Sequence, residues 1–201
     1  MLNHALDIHI HTKGILEEFD AFCKEHGLVG LVRVDHIGLR CSSDDIYQRQ
    51  KKLFDFESRF IYKSIISKRQ ISIIGLLQGL PTIVGEINYL ELSNQKPDGS
   101  QRDVFDHCEV VPTTISYDEL VEKLSTKNII INEMVRPHHT THDITLPSGF
   151  VVFFVVIKFK NSFFCCPFFC IISFRFLSIH LKVNTLIFFC YFARDVYFFW
   201  N

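Results

Sequence analysis

The sequence predicts an α+β fold in which an N-terminal helix is followed by two βαβββ units. Three observations point there. Runs of alternating polar and apolar residues recur in the order strand, helix, strand, strand, strand, and the order repeats with units of about 55 residues. The dipeptide Asp-His stands in the first strand of each unit, at Asp35-His36 and Asp106-His107. An amphipathic segment stopped by a glycine precedes both units.

The elements follow in order. Over 14–26 (GILEEFDAFCKEH), Ile15, Phe19 and Phe22 recur at helical spacing and Gly27 ends the helix. Residues 32–41 (VRVDHIGLRC) alternate as a strand, and Ser43-Asp44-Asp45 caps a second helix running to about Phe56. Two strands, 59–66 and 70–77, flank Lys68-Arg69, and a third covers 83–92 before the turn at Pro97-Asp98-Gly99. The second unit opens with a strand at 104–111, then a helix at 117–125 capped from Ser116. Strands at 128–135 and 142–146 follow, and Pro147-Ser148-Gly149 turns the chain into Phe150-Val151-Val152.

Composition divides the chain at Phe150. Over the whole sequence 21 basic residues face 22 acidic ones, so no basic excess marks a nucleic-acid partner. Residues 1–150 carry only 7 of the 21 Phe; residues 151–201 carry the other 14, four of the seven Cys, six charges and no Glu. Val152 onward has the composition of translated thymine-rich DNA, which suggests an intron read through rather than selected protein. A transcript that continues in this frame to Asn201 contradicts that reading. The tail alternatively offers an apolar stretch at 163–181, interrupted by Pro167 and Arg175, as a membrane contact if it is genuine. A spanning helix needs about 20 mostly apolar residues, which none of its runs supplies cleanly. The expected division is an N-terminal segment 1–13, module one at about 32–93, module two at about 103–152, and the tail 153–201.

Cys23, Cys41 and Cys108 lack the spacing of a zinc finger or disulfide frame and read as core thiols of a reducing compartment. Met1 to Thr12 has no apolar run of a secretory signal, so the expected location is cytoplasmic. Nothing matches a glycine-rich phosphate loop, and Ser148-Gly149 is a turn rather than a nucleophile elbow.

Alternation places His36, Gly38 and Arg40 on one face of the first strand of module one, and His107 and Glu109 on one face of its counterpart in module two. Tyr89, Glu91 and Ser93 share a face of the last strand of module one. If the two sheets join in one curved surface, His36, Glu91 and His107 converge. Two imidazoles and a carboxylate suit a divalent ion such as Zn, Fe(II), Mn or Ni with positions left open. A competing motif, Asp7-Ile8-His9-Ile10-His11, resembles the DxHxH opening of metal hydrolases of the polymerase and histidinol phosphatase type. His138, His139, His142 and Asp143 would be its further ligands. Without the barrel repeats that fold requires, the three histidines are expected in a loop near the cavity mouth, and the motif in a mobile N-terminal segment.

DHIGLRC at 35–41, IVGEINYLELSNQKPDG at 83–99 and VFDHCEVV at 104–111 resemble the YecM-type proteins, relatives of the vicinal oxygen chelate superfamily of glyoxalases, bleomycin resistance proteins and extradiol dioxygenases. The resemblance covers about 14–152. It implies two βαβββ modules in an open half-barrel around a divalent metal, with ligands from the first and last strands of each module: His36, Glu91 and His107. The fourth ligand is expected after Gly149, where YecM-type chains resemble a Lys-Phe-His segment. This chain has only Val151 to Val156 there, with no His or carboxylate, so that ligand is missing. The implied function is a metal-dependent enzyme acting on a small oxygen-bearing molecule. From the shared strand faces, Arg40 could pair with an anionic substrate, and Glu109 could support the metal ligands from behind or act as a base. The alternatives are a non-catalytic ligand-binding module or a truncated gene product with an incomplete site. No nucleic-acid partner is implied, and a homodimer is one further arrangement.

Overall fold

A computed structural model describes residues 1–127, 129–135 and 140–155. The described residues form a single eight-stranded sheet with helices α1 (Ile8–Glu25), α2 (Asp44–Leu53) and α3 (Tyr117–Ser125). Its strands are β1 (Val32–Arg40), β2 (Ser58–Ile66), β3 (Arg69–Thr82), β4 (Gly85–Ser93), β5 (Val104–Pro112), β6 (Asn132–Val135), β7 (Thr140–Thr145) and β8 (Val151–Val155). The order across the sheet is β2-β3-β4-β1-β5-β8-β7-β6. Each module therefore runs outward from its own first strand, and the modules meet where β1 pairs antiparallel with β5. Within the modules β1 pairs parallel with β4, and β5 parallel with β8. The two βαβββ units expected from the sequence are thus related by an approximate twofold axis at the β1–β5 seam.

The first helix differs from its expected start. It begins at Ile8, after a 3-10 turn at Ala5–Asp7, rather than at residue 14. The Asp7 carboxylate accepts from the backbone N–H groups of Asn3 and His4 and holds that turn, which draws its pKa below the ordinary carboxylate range. Ile8, Thr12, Leu16, Phe19 and Cys23 then recur at intervals of three or four and form the buried stripe. The DxHxH motif consequently lies on a helix, where residues two apart point away from each other. It is neither a barrel strand nor a mobile segment. The N-terminal segment belongs to the core: Leu2, Ala5 and Ile8 are buried, and Gln50 of α2 exchanges two hydrogen bonds with the backbone of Leu2 at 3.0 Å each.

Helix α1 ties the modules together. Asp20 accepts from the Ile83 N–H at the β3–β4 turn, and Glu18 accepts from the Ser148 N–H at the β7–β8 turn. The core lies between the helices and one sheet face, where Phe19, Tyr47, Leu120 and Leu124 meet Ile37, Leu39, Leu90, Leu92, Cys108, Val110, Val152 and Phe154. Cys23, Cys41 and Cys108 are free and buried there. Burial pushes the first two thiols up to about 12 and Cys108 well above its ordinary range, so they are inert packing groups.

Other departures are local. Ser67 and Lys68 adopt φ of 51° and 63°, which makes the β2–β3 connection a two-residue turn without glycine. Strand β6 begins at Asn132, not 128. Strand β8 runs through Val155, so ordered structure continues into the Phe-rich stretch. His138, His139 and the 163–181 stretch lie outside the described residues. Among the described residues, no helix is long and apolar enough to cross a membrane.

Candidate metal centre

The sheet face opposite the helices carries the polar side chains. The register puts His36 of β1 directly across from Glu109 of β5, and Gly38 across from His107. Glu91 of β4 is the neighbour of Gly38 on the other side. All five positions thus share one face. His36 and His107 are each 4% exposed. The donor atoms of His36, Glu91 and His107 lie within 4.8 Å of one another, and His36 Nε2 is 3.7 Å from Glu91 Oε2.

Two irregularities in the β1–β5 ladder aim the imidazoles. The register slips by one residue at Asp35 and again at Asp106, leaving each Asp as an extra residue immediately before its His. A bulge re-aims side chains that strict alternation would send to opposite faces. Here it brings the Asp35 carboxylate to 3.2 Å from His36 Nδ1, and the Asp106 carboxylate to 2.7 Å from His107 Nδ1. Each Asp is backed by an arginine. Arg33 donates to the second oxygen of Asp35 at 3.4 Å, and Arg40 Nε donates to the second oxygen of Asp106. The Arg–Asp–His pattern occurs twice, within β1 for His36 and across the β1–β5 seam for His107, with both arginines supplied by β1. A carboxylate accepting from Nδ1–H leaves the Nε2 lone pair for a ligand, which is the arrangement metal-binding histidines need.

Gly38 is the second device. A Cβ at this position would stand 2.0 Å from His107 Cε1 and 2.4 Å from its Nδ1. The imidazole occupies the space a side chain would fill, so glycine is required by close approach rather than by its backbone angles. Phe153 closes the other side, its ring centroid 4.9 Å from that of His107.

The electrostatics are those of an acid-rich, partly desolvated site. Burial disfavours a charged imidazole at His36, but Glu109, the Asp35 hydrogen bond and the charges of Glu91 and Asp35 outweigh it. The net result is a pKa pushed up to about 9. Burial would raise the Asp35 carboxyl, yet the His36 hydrogen bond and the His36 and Arg33 charges hold it below the usual range.

The donor set fits a divalent ion. Ligands bonded at 2.0–2.2 Å to one ion stand roughly 3–4 Å apart, so the three groups need only a small inward rotation to meet. Two imidazoles and one carboxylate, with open positions, suit Zn or Fe(II).

The twofold relation also locates the position at which a fourth ligand is expected. Glu91 pairs with Gly38, two residues after His36; Phe153 pairs with Glu109, two residues after His107. Phe153 is the counterpart of Glu91, so a phenyl ring stands where the fourth ligand was expected. Of the other residues singled out from sequence, Glu109 borders the ligand set and Arg40 is engaged with Asp106. His142 lies within β7 rather than in a loop, and its Nδ1 is 2.6 Å from the Tyr117 hydroxyl. Sequence reasoning assigned no role to Asp35, Asp106 or Gly38. The first two were visible as repeated neighbours of the histidines, and Gly38 as a glycine inside a strand.

Paired βαβββ modules joined in one open sheet give the described residues a glyoxalase-like, vicinal oxygen chelate fold, with His36, Glu91 and His107 clustered on its open face. Within that class the chain belongs to the YecM protein family, whose model matches residues 13–158. Among solved structures it is similar to a structural-genomics structure of Protein EC4020, at 21% identity, covering 71% of this chain and 84% of that one with a TM-score of 0.50. It is also similar to methylmalonyl-CoA epimerase from Mycobacterium tuberculosis (9% identity, 61% of this chain and 86% of that one, TM-score 0.40). A glyoxalase/bleomycin resistance protein/dioxygenase superfamily member from Vibrio splendidus 12B01 matches at 13% identity, over 62% of this chain and 97% of that one, with a TM-score of 0.36. No curated protein matches the chain.

Proposed function

We propose that the chain is a divalent-metal-binding enzyme that acts on a small substrate through metal-held oxygens. One observation carries this reading: three donors from three different strands converge within 4.8 Å, with both imidazoles held at Nδ1 by an aspartate. When bound, the ion would polarise a carbonyl or stabilise an enolate as a Lewis acid. Glu109 stands across the seam from His36, outside the ligand set, and serves as the base that takes a proton from the substrate. Phe153 and the buried Ile73, the cross-strand neighbour of Glu91, exclude water from the reacting end.

The test is a cobalt titration of the full chain followed by calorimetry and visible absorption. One equivalent is expected, bound with release of a proton at neutral pH. The sign follows from His36. Its raised pKa stabilises the metal-free fold below pH 6.5 and that contribution is lost as pH rises through about 9. The metal needs the neutral imidazole and must displace the proton, so affinity climbs with pH up to about 9, by about tenfold per unit. An affinity that stays flat between pH 6 and 9 would exclude His36 as a ligand.

Phe153 favours a second reading, a module that holds a ligand without turning it over, because a three-donor site binds metal less firmly than a four-donor one. Phe153→Glu places a carboxylate at the counterpart of Glu91. It is expected to tighten cobalt binding by at least about tenfold. Unchanged affinity would show that this position lies outside the coordination sphere.

A further inference from the structure

Beyond the metal ligands, the same sheet face holds an arginine with no acceptor among the described residues. Arg69 is the first residue of β3 and alternates onto the face of Ile71 and Ile73, which pair with Ser93 and Glu91 of β4. It is half-buried, and its Nε and Nη1 are buried without a hydrogen-bond partner. Ser93, 1% exposed, pairs with Arg40 on one side and Ile71 on the other, and its hydroxyl is also buried without a partner. The other arginines of the site are engaged, Arg33 with Asp35 and Arg40 with Asp106. A buried donor without an acceptor is costly, more so when charged, so unmatched donors gathered in one place call for a ligand.

The surroundings locate the guanidinium. Burial works against its charge, and the charges bearing on it are, in order, Glu91, Arg40, Asp106 and Asp98. The register places it at the same end of the sheet, since Arg69 precedes Ile71 by two residues and Ile71 pairs with Ser93, itself the neighbour of Arg40.

We infer that Arg69 and Ser93 form an anion subsite beside the metal centre, which takes the carboxylate of a small acid whose other end meets the metal through oxygen. This rests on the metal reading given above. A planar guanidinium offers two parallel N–H groups to a carboxylate or phosphate. The nearby carboxylates of Glu91, Asp98 and Asp106 favour the monoanion over a phosphate dianion. Ser93 lies two residues beyond Glu91 on one strand, about 6–7 Å away. A substrate bridging the two ends is thus a diacid of about five carbons with a 2-oxo acid or similar chelating head.

The experiment titrates the full chain, with and without Co(II), with 2-oxoglutarate and with 2-oxopentanoate, which has the same length but no distal carboxylate. The native chain is expected to prefer the diacid by about tenfold or more, from one charge-assisted hydrogen-bonded contact. Arg69→Gln abolishes that preference while cobalt stoichiometry stays unchanged and the melting temperature does not fall, and Ser93→Ala reduces it. The metal-free chain shows the same Arg69-dependent preference at weaker affinity. Equal affinities for the two acids in the native chain, or a preference that survives in Arg69→Gln, overturn the subsite. Failure to take up cobalt instead overturns the metal reading, and the metal-free comparison then decides the subsite by itself.

Discussion

Alanine at His107 is expected to abolish stoichiometric cobalt binding, and alanine at His36 to do the same. Each removes one of three donors, so the remaining pair falls at least about 100-fold below the native affinity, more than the loss of an outer-shell partner. The two variants differ in what they leave behind. His107→Ala leaves Asp106 still paired with Arg40, so the fold keeps its balance of charge and mainly loses packing against Phe153. His36→Ala withdraws the group that faces Asp35, Glu91 and Glu109. The stranded carboxylates repel one another, and the variant is expected to melt lower than His107→Ala. Calorimetric titration and thermal melts of both variants check this. One equivalent of cobalt retained by both variants would sink the assignment of the site.

Alanine at Gly38 is expected to disable the site as thoroughly as loss of a ligand, although Gly38 offers no donor atom. The added methyl would sit 2.0 Å from the His107 ring. That ring is confined on its other sides by the Asp106 hydrogen bond at 2.7 Å and by Phe153. To accommodate the methyl the imidazole must swing away and break its bond to Asp106, which misdirects Nε2. Cobalt affinity should drop about 100-fold and stability by about 1–3 kcal/mol, the usual cost of overpacking. Gly14→Ala is the control. Gly14 is helical and exposed, with nothing within 4 Å of a Cβ, so this variant should be neutral or slightly stabilising. Native metal affinity in Gly38→Ala would mean that His107 has another place to stand.

Local signals proved readable where a short-range interaction decides the outcome. Ser116 and Glu119 form the reciprocal cap that starts α3. Ser43 accepts from the Ile46 N–H at the start of α2. The β2–β3 turn was less visible because Ser67 and Lys68 take left-handed angles usually given to glycine or asparagine. The start of α1 was obscured because histidines and an aspartate resembled a metal motif. Its true driver, the Ile8, Thr12, Leu16 stripe, depends on having a sheet to pack against.

The sequence by itself determined the two-module plan, the elements and their order, and the placement of His36, Glu91 and His107 on compatible faces. Alternation and helical periodicity are properties of short segments, and they survive without knowledge of the partner strand. The tertiary structure alone decided that β1 and β5 meet at the seam, that the register slips at Asp35 and Asp106, and that Gly38 faces His107. It also set Phe153 at the position equivalent to Glu91 and left Arg69 without an acceptor among the described residues. Register is a relation between strands far apart in the chain. A shift of one residue reverses which side chains meet, and only packing of the whole sheet against its helices selects the one that puts the apolar face inward.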